Sequence, residues 1–306
     1  MSKRTLGFLA MVAAMFSWGP APVITKLGLH EIPPYSFAFL RFLLALIILL
    51  PIFFSLGHHK VARGDLKRFL LVGIFGSGLN VIFFMTGISR TTATSSAAIF
   101  ATVPLVNALA AAFILRERPT LVRVLGVIVG LLGSFLIALS PSFLGTKSVG
   151  GDVLGNLLVG LAVFSWVAYI IGSKELLQKY SPLTMTTYSF LVGVTVLFPL
   201  SYFEFVSHPG WYLKLTALGF WAILYGAIFA SVVPFFLYQW GMKQTSAFAA
   251  GIVTYLNPVL ASLWAIPLLG EYPSPVFLIG TGLILGGVFL ATAYELIQKR
   301  RQLFLD

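Results

Sequence analysis

Within its apolar stretches the chain carries few side chains able to do chemistry, and nearly all of them are neutral. Asn80 stands beside Ser77 and Gly78. Thr102 and Asn107 flank Pro104, while Thr254, Tyr255 and Asn257 run up to Pro258. Trp18 and Trp166 each lie about 13 residues into a stretch, roughly 20 Å along a helix axis. Arg41 is the one charge clearly inside such a stretch. Amides, hydroxyls and indoles exchange hydrogen bonds and offer π faces. Hydrolysis or group transfer would need a nucleophile, a base or a metal ligand at the same depth. All nine acidic residues (Glu31, Asp65, Glu117, Asp152, Glu175, Glu204, Glu271, Glu295 and Asp306) fall in loops or at the ends of stretches. His30, His58, His59 and His208 lie in loops, and there is no cysteine. The pattern predicts reversible binding of a small-molecule substrate, with no catalytic residue, no metal site and no cofactor. A membrane-embedded enzyme is the least supported class.

Such residues need elements to hold them. Of 306 residues, 58% are hydrophobic and 9% charged, with a mean hydropathy of +0.97. A soluble domain carries about 25% charged residues, so this chain lacks the polar surface that water requires. The charges cluster, leaving ten uncharged windows near 5–25, 42–57, 69–89, 91–115, 124–146, 153–173, 180–203, 215–242, 244–270 and 272–294. Each is close to or above the roughly 20 residues that a spanning helix needs, and the period-2 alternation of a membrane barrel is missing. The expectation is an all-α integral membrane protein with ten transmembrane helices. The first window follows Lys3 and Arg4 but shows no convincing cleavage site, so it reads as a retained helix rather than a signal peptide.

The net charge of +11 raises a nucleic-acid partner, which its distribution argues against. With the N-terminus inside, 15 of the 20 basic residues fall in inner segments and four (Lys26, Arg90, Lys147 and Lys214) in outer ones. That is a positive-inside bias. It places both termini in the cytoplasm and makes anionic membrane lipids the partner of the charge. Nothing in the spacing specifies an oligomeric state.

One window contains its own helix breakers: MFSWGPAPVITK, residues 15–26, with Gly19, Pro20 and Pro22. A related segment, VFSWVAYIIGSK, occupies residues 163–174. Phe16, Ser17, Trp18, Lys26 and Pro34 recur as Phe164, Ser165, Trp166, Lys174 and Pro182 at an offset of 148. Further on, Gly87, Pro104, Glu117, Pro119, Gly126 and Gly133 meet Gly241, Pro258, Glu271, Pro273, Gly280 and Gly287 at an offset of 154. The chain thus reads as a tandem duplication, residues 1–145 and 146–306. Five helices per half is an odd number, so the second copy enters the membrane from the other side. Inverted repeats of this kind are characteristic of secondary transporters, because they supply two equivalent states facing opposite sides.

The first-helix FSWGPAPVITK, the RFLLALIILL of the second, and the tracts TSSAAIFATVPLVNALAAAFILRERPTLVRVLGVIVGLLGSFLIA (94–138) and SAFAAGIVTYLNPVLASLWAIPLLGEYPSPVFLIGTGLILGGVFLA (246–291) resemble EamA-type members of the drug/metabolite transporter superfamily over nearly the whole chain. The resemblance implies a central cavity lined by helices one to four and six to nine, with five and ten as scaffold. It also implies export of amino acids or other small metabolites, relatives carrying nucleotide sugars and organic phosphates. Carriage of nucleosides or nucleotide-sugar-like solutes, and import or exchange, remain alternatives.

Within that frame each residue has two readings. Trp18 and Trp166 are cavity aromatics or lipid-facing side chains. Asn80, Thr102, Asn107, Thr254, Tyr255 and Asn257 contact solute or bridge helices. Arg41 anchors a solute carboxylate or snorkels to the interface. Gly19, Pro20, Pro22, Pro104 and Pro258 are permanent kinks or hinges. Lys26 and Lys174 read as snorkelling at helix ends, and Glu204 as a solvated boundary charge. With no carboxylate or histidine at depth, transport driven by the solute's own gradient is expected. The topology is testable: a reporter fused at Thr146 should be active only in the periplasm, and cytoplasmic activity would overturn the inverted-repeat reading.

Overall fold

The structure, a computed structural model, describes residues 2–56, 61–114, 121–144, 152–245, 250 and 253–303. His58, His59, Glu117 and Thr146 lie outside these, as does the side chain of Tyr255. Ten apolar helical stretches follow one another: α1 Lys3–Gly28, α2 Pro34–Ser55, α3 Arg63–Ile88, α4 Ala93–Asn107, α5 Val124–Leu139, α6 Val153–Lys179, α7 Pro182–Ser207, α8 Ala217–Gln244, α9 Leu256–Leu269 and α10 Pro275–Leu290. No strand occurs among the described residues. Six of them, α1 to α3 and α6 to α8, are long and apolar enough to cross a bilayer, and the other four are shorter apolar helices. Large side chains such as Leu121, Phe203 and Phe289 point outward, at 69–74% exposure. A water-soluble fold would cover them, whereas lipid tails need no cover.

The two offsets in the sequence reappear as contacts. A methyl group on Gly7 would sit 3.1 Å from the Gly241 carbonyl oxygen, and the pair related by the offsets, Gly155 and Gly87, repeats this at 3.0 Å. Gly133 packs on Gly280 as Gly287 packs on Gly126, joining α5 to α10. Only glycine lets the helix backbones meet so closely. Trp18 meets Trp166 with ring centroids 5.6 Å apart, and Phe42 stacks on Phe190 at 4.9 Å. A residue touching its own counterpart marks a pseudo-two-fold axis, and both pairs sit on it. The chain is therefore an all-α membrane protein built from two inverted five-helix repeats.

Breaks in the helices fall where the prolines are. α1 is helical through Trp18, turns at Gly19–Pro20, and resumes at Ala21. A Cβ on Gly19 would overlap the Leu260 side chain of α9, so the close approach there requires glycine. α4 is interrupted at Ala101–Thr102, and Pro104 stands in the first turn of the segment that follows. Pro258 likewise stands in the first turn of α9, after a tighter turn at Val253–Tyr255. Both prolines thus open helical segments, where their missing N–H costs nothing. α3 and α8 each contain a π-helical stretch, Ile74–Leu79 and Ile228–Val232, beginning at positions 154 apart. Such stretches often occur at functional sites.

Charged residues at the helix ends are bonded rather than solvated. α2 begins at Pro33–Pro34, and its N-cap position has no side-chain acceptor. The Tyr35 and Ser36 amides are consequently open, and Glu204 at the end of α7 takes both, at 3.1 and 2.6 Å, together with the Ser36 hydroxyl at 2.9 Å. Glu204 is only 8% exposed. It is a buried helix cap, not the boundary charge that its position in the sequence suggests, because a helix N-terminus attracts an anion. Glu271 does the same for α4, accepting from the Ala93 and Thr94 amides at 3.1 and 3.0 Å. Lys26 donates to the Thr91 carbonyl at 2.5 Å and lies 3.7 Å from Glu271. Lys174 donates to the Met242 carbonyl at 2.5 Å and to that of Thr245. Neither lysine snorkels; each ties a helix end to the carbonyl reached by the same offsets, Thr91 or Thr245.

These bonds yield a stability prediction. Glu204→Gln removes charge-assisted bonds from buried amides and should cost about 1–3 kcal/mol, read as a lower thermal unfolding midpoint in detergent. Transport by the folded fraction should be unchanged. Lost transport with an unshifted midpoint would make Glu204 a working carboxylate instead.

Candidate functional site

Every helix end named so far belongs to one of two faces. Glu31, Glu204, Glu271 and the Arg90–Asp152 ion pair (2.8 Å) mark one; Asp65, Lys174, Tyr180 and Lys243 mark the other. At the first, Glu31 accepts from the Thr216 hydroxyl and amide, which hold its carboxyl below the usual carboxylate range. At the second, the Tyr180 hydroxyl donates to Asp65 at 2.7 Å, and Lys243 donates to the Tyr180 carbonyl at 3.0 Å.

A cavity of about 120 Å³ lies between them, in the half toward the Glu31 face. The α1 break supplies Met15, Trp18, Gly19, Ala21, Pro22 and Thr25; α2 supplies Arg41; α3 supplies Asn80, Val81 and Phe84. Ser96, Ala97 and Phe100 come from α4, Trp166 from α6, Ala230 and Phe235 from α8, and Thr254, Asn257 and Ala261 from the α9 region. A single water needs about 10–15 Å³ on this scale. The cavity therefore has room for a small solute or several waters.

Its floor is aromatic. Trp18 meets Trp166, Phe235 and Tyr238 at centroid distances of 5.6, 5.4 and 5.5 Å, and Trp166 meets Tyr169 at 5.0 Å. Trp18 meets Trp166 and Phe235 edge to face, which suits the ring quadrupoles, and the cluster closes the cavity toward the Tyr180 face. Trp18 is held by its indole N–H, which donates to the Ala230 carbonyl at 2.9 Å. The Ser17 hydroxyl donates to the Phe229 carbonyl at 2.5 Å, and the Tyr225 hydroxyl donates to the Ser17 carbonyl at 2.7 Å.

Arg41 does not snorkel. It is 8% exposed, lines the cavity, and holds its guanidinium 4.8 Å from the Phe42 ring centroid. It faces no carboxylate among the described residues, and its Nε has no hydrogen-bond partner. A buried cation is costly unless water or an anion reaches it, so its place in the wall favours a ligand with negative charge.

The structure brings six of the nine residues considered for binding into this wall: Trp18, Trp166, Asn80, Arg41, Thr254 and Asn257. Asn80 also bridges helices, donating to the Ala162 carbonyl at 2.8 Å. Thr102 and Asn107 are buried away from the wall; the Thr102 hydroxyl donates to the Ile99 carbonyl at 2.7 Å. The Tyr255 side chain lies outside the described residues. Of the breakers, Gly19 and Pro22 line the cavity and Pro20 adjoins it, whereas Pro104 and Pro258 do not. Phe235, Tyr238, Phe84, Phe100, Thr25 and Ser96 were not legible as site residues. Phe235 alone carried a hint, since it follows Pro234 in an otherwise unbroken window.

Comparison with known proteins agrees with this architecture. A model of the EamA-like transporter family matches residues 5–139 and 153–293, one match per repeat. An "Uncharacterized transporter YetK" of Bacillus subtilis is 29% identical over 294 residues, covering 94% of this chain and 87% of the relative. A "Probable terminal-alkyne amino-acid exporter" of Streptantibioticus cattleyicolor is 25% identical over 301 residues, covering 97% of each. A crystal structure with a TM-score of 0.67 covers 95% of this chain and 98% of its own, at 19% identity, a likeness of fold. The chain is a multi-pass membrane protein and belongs to the EamA-like transporter family.

Proposed function

We propose that the protein exports a small zwitterionic metabolite, an amino acid or a close relative, across the cytoplasmic membrane by alternating access between its two halves, 1–145 and 146–306. The observation that carries this reading is Arg41, a lone buried cation in a small cavity whose remaining wall is aromatic, aliphatic and amide. A guanidinium takes a carboxylate in two parallel bonds. The indole faces of Trp18 and Trp166 suit an ammonium group or an apolar side chain. A cavity of about 120 Å³ suits a small solute. A phosphate ester, a nucleotide sugar included, needs several clustered cations, where the described wall has one. The amino-acid exporter among the relatives supports the same class. The charge bias puts both termini and the Tyr180 face in the cytoplasm, so that the cavity lies toward the outside.

Among the described residues the wall contains no Asp, Glu or His to carry a proton at the cavity. Flux driven by the solute's own gradient, or by exchange, follows.

Two measurements test this. In proteoliposomes, a panel of labelled solutes should show saturable amino-acid flux, and Arg41→Gln should raise KM about 10–100-fold, the worth of a charge-assisted bond. Strong uptake of a sugar nucleotide with no response to amino acids would sink the solute class. Separately, an imposed proton gradient should neither concentrate solute nor speed its flux. Uphill accumulation under that gradient would refute the coupling.

A further inference from the structure

Beneath the aromatic floor, on the Tyr180 side, lies a polar cluster that no helix end uses. The hydroxyl of Tyr169 accepts from the Gln239 side-chain amide, and Ser173 and Ser189 stand beside the same hydroxyl. All four residues are 0–1% exposed. The Gln239 carbonyl oxygen has no hydrogen-bond partner, and the Ser173 and Ser189 hydroxyls have only the Tyr169 hydroxyl beside them to share. Native interiors satisfy nearly all buried polar groups, and four polar side chains that must share so few bonds are out of place in a permanent core.

The offsets explain the position. Subtracting 148 turns Tyr169, Ser173 and Ser189 into Ala21, Thr25 and Arg41, and all three of these line the cavity. Gln239, at 154, corresponds to Met85, next to the lining residue Phe84. The pseudo-two-fold axis through Trp18–Trp166 and Phe42–Phe190 therefore carries the cavity wall onto the sealed cluster.

We infer that Tyr169, Ser173, Ser189 and Gln239 form a second solute-binding half-site, closed here and open to the Tyr180 side in the opposite state. The inference rests on the alternating-access reading but not on the identity of the solute. The chemistry of the half-site is neutral: three hydroxyls and one amide, which recognise hydroxyl, carbonyl and ammonium groups through hydrogen bonds. Where the cavity presents Arg41, this half-site presents Ser189, so it offers no cation to a carboxylate.

The chain contains no cysteine, so Ser173→Cys or Ser189→Cys introduces a single thiol of nearly the same size. A membrane-impermeant charged maleimide should modify both variants when added from the Tyr180 side of vesicles. It should modify Thr25→Cys from the Glu31 side. Saturating solute should slow all three. In parallel, Tyr169→Phe and Gln239→Leu should raise KM measured from the Tyr180 side by about 2–10-fold, with a smaller change from the Glu31 side. Silence of both serine-derived thiols in the folded protein, with full labelling after denaturation, would overturn the half-site; so would equal KM changes from both sides. If amino acids are not transported yet Ser173→Cys labels from the Tyr180 side, the solute class fails and the half-site stands. If amino acids are transported and both thiols stay silent, the half-site fails alone.

Discussion

The seam between α1 and α8 is the interaction on which the cavity depends. Hydrocarbon offers a backbone carbonyl no partner, so a helix can be interrupted in a membrane only where protein or water replaces the lost bond. α8 contains Pro234, which has no N–H for the Ala230 carbonyl four residues earlier. That carbonyl accepts from the Trp18 indole instead, and the neighbouring Phe229 carbonyl accepts from the Ser17 hydroxyl. In return the Tyr225 hydroxyl of α8 takes the Ser17 carbonyl, at the point where α1 approaches its own break. Each irregular stretch completes the other. The same bonds fix the plane of Trp18, and with it the ring cluster that floors the cavity.

How much of this was legible in the sequence depended on whether a requirement leaves a residue behind. Close backbone contact demands glycine on both partners, so Gly7, Gly87, Gly126 and Gly133 recur at fixed offsets and the duplication could be read directly. Helix breaks demand proline, so the interruption at Gly19–Pro22 was equally visible. The depth of Trp18, Trp166 and Arg41 followed from position along their windows. Glu204 left no such mark: its partners are backbone amides 168 and 169 residues away, and backbone amides have no sequence signature. The π-helical stretches at Ile74–Leu79 and Ile228–Val232 were invisible for the same reason, being a choice of hydrogen-bond register rather than of residue type. Lys26 and Lys174 lay between these cases. Thr91 and Thr245 recur beside them at the repeat offset, but a lysine at a helix end resembles a snorkelling one until its carbonyl partner is known.

Carboxylates placed at the rims rather than in the centre have a consequence for mechanism. Glu204 and Glu271 are occupied by the open amides of α2 and α4. Groups so engaged hold helix ends in place across the repeat interface. The irregular backbone lies instead beside the cavity, where α1 and α4 are interrupted and α3 and α8 depart from α-helical register.

The pseudo-two-fold axis relates the backbones more closely than the side chains, and under the proposed alternating access that difference gives the two states unequal character. Were the halves identical in sequence, both states would have equal energy and equal affinity for any solute. Here Gly19, Pro20 and Pro22 face Val167, Ala168 and Ile170, so only α1 is interrupted; α6 runs unbroken from Val153 to Lys179. Arg41 faces Ser189, so a fixed positive charge belongs to one half alone. A ligand shifts a two-state equilibrium only by its difference in affinity for the two states. A solute carboxylate bound at Arg41, as proposed, would have such a difference, because that partner lies on one side of the axis. On the alternating-access reading proposed above, the backbone duplication supplies two states, and the departures from it decide which of them a bound solute favours.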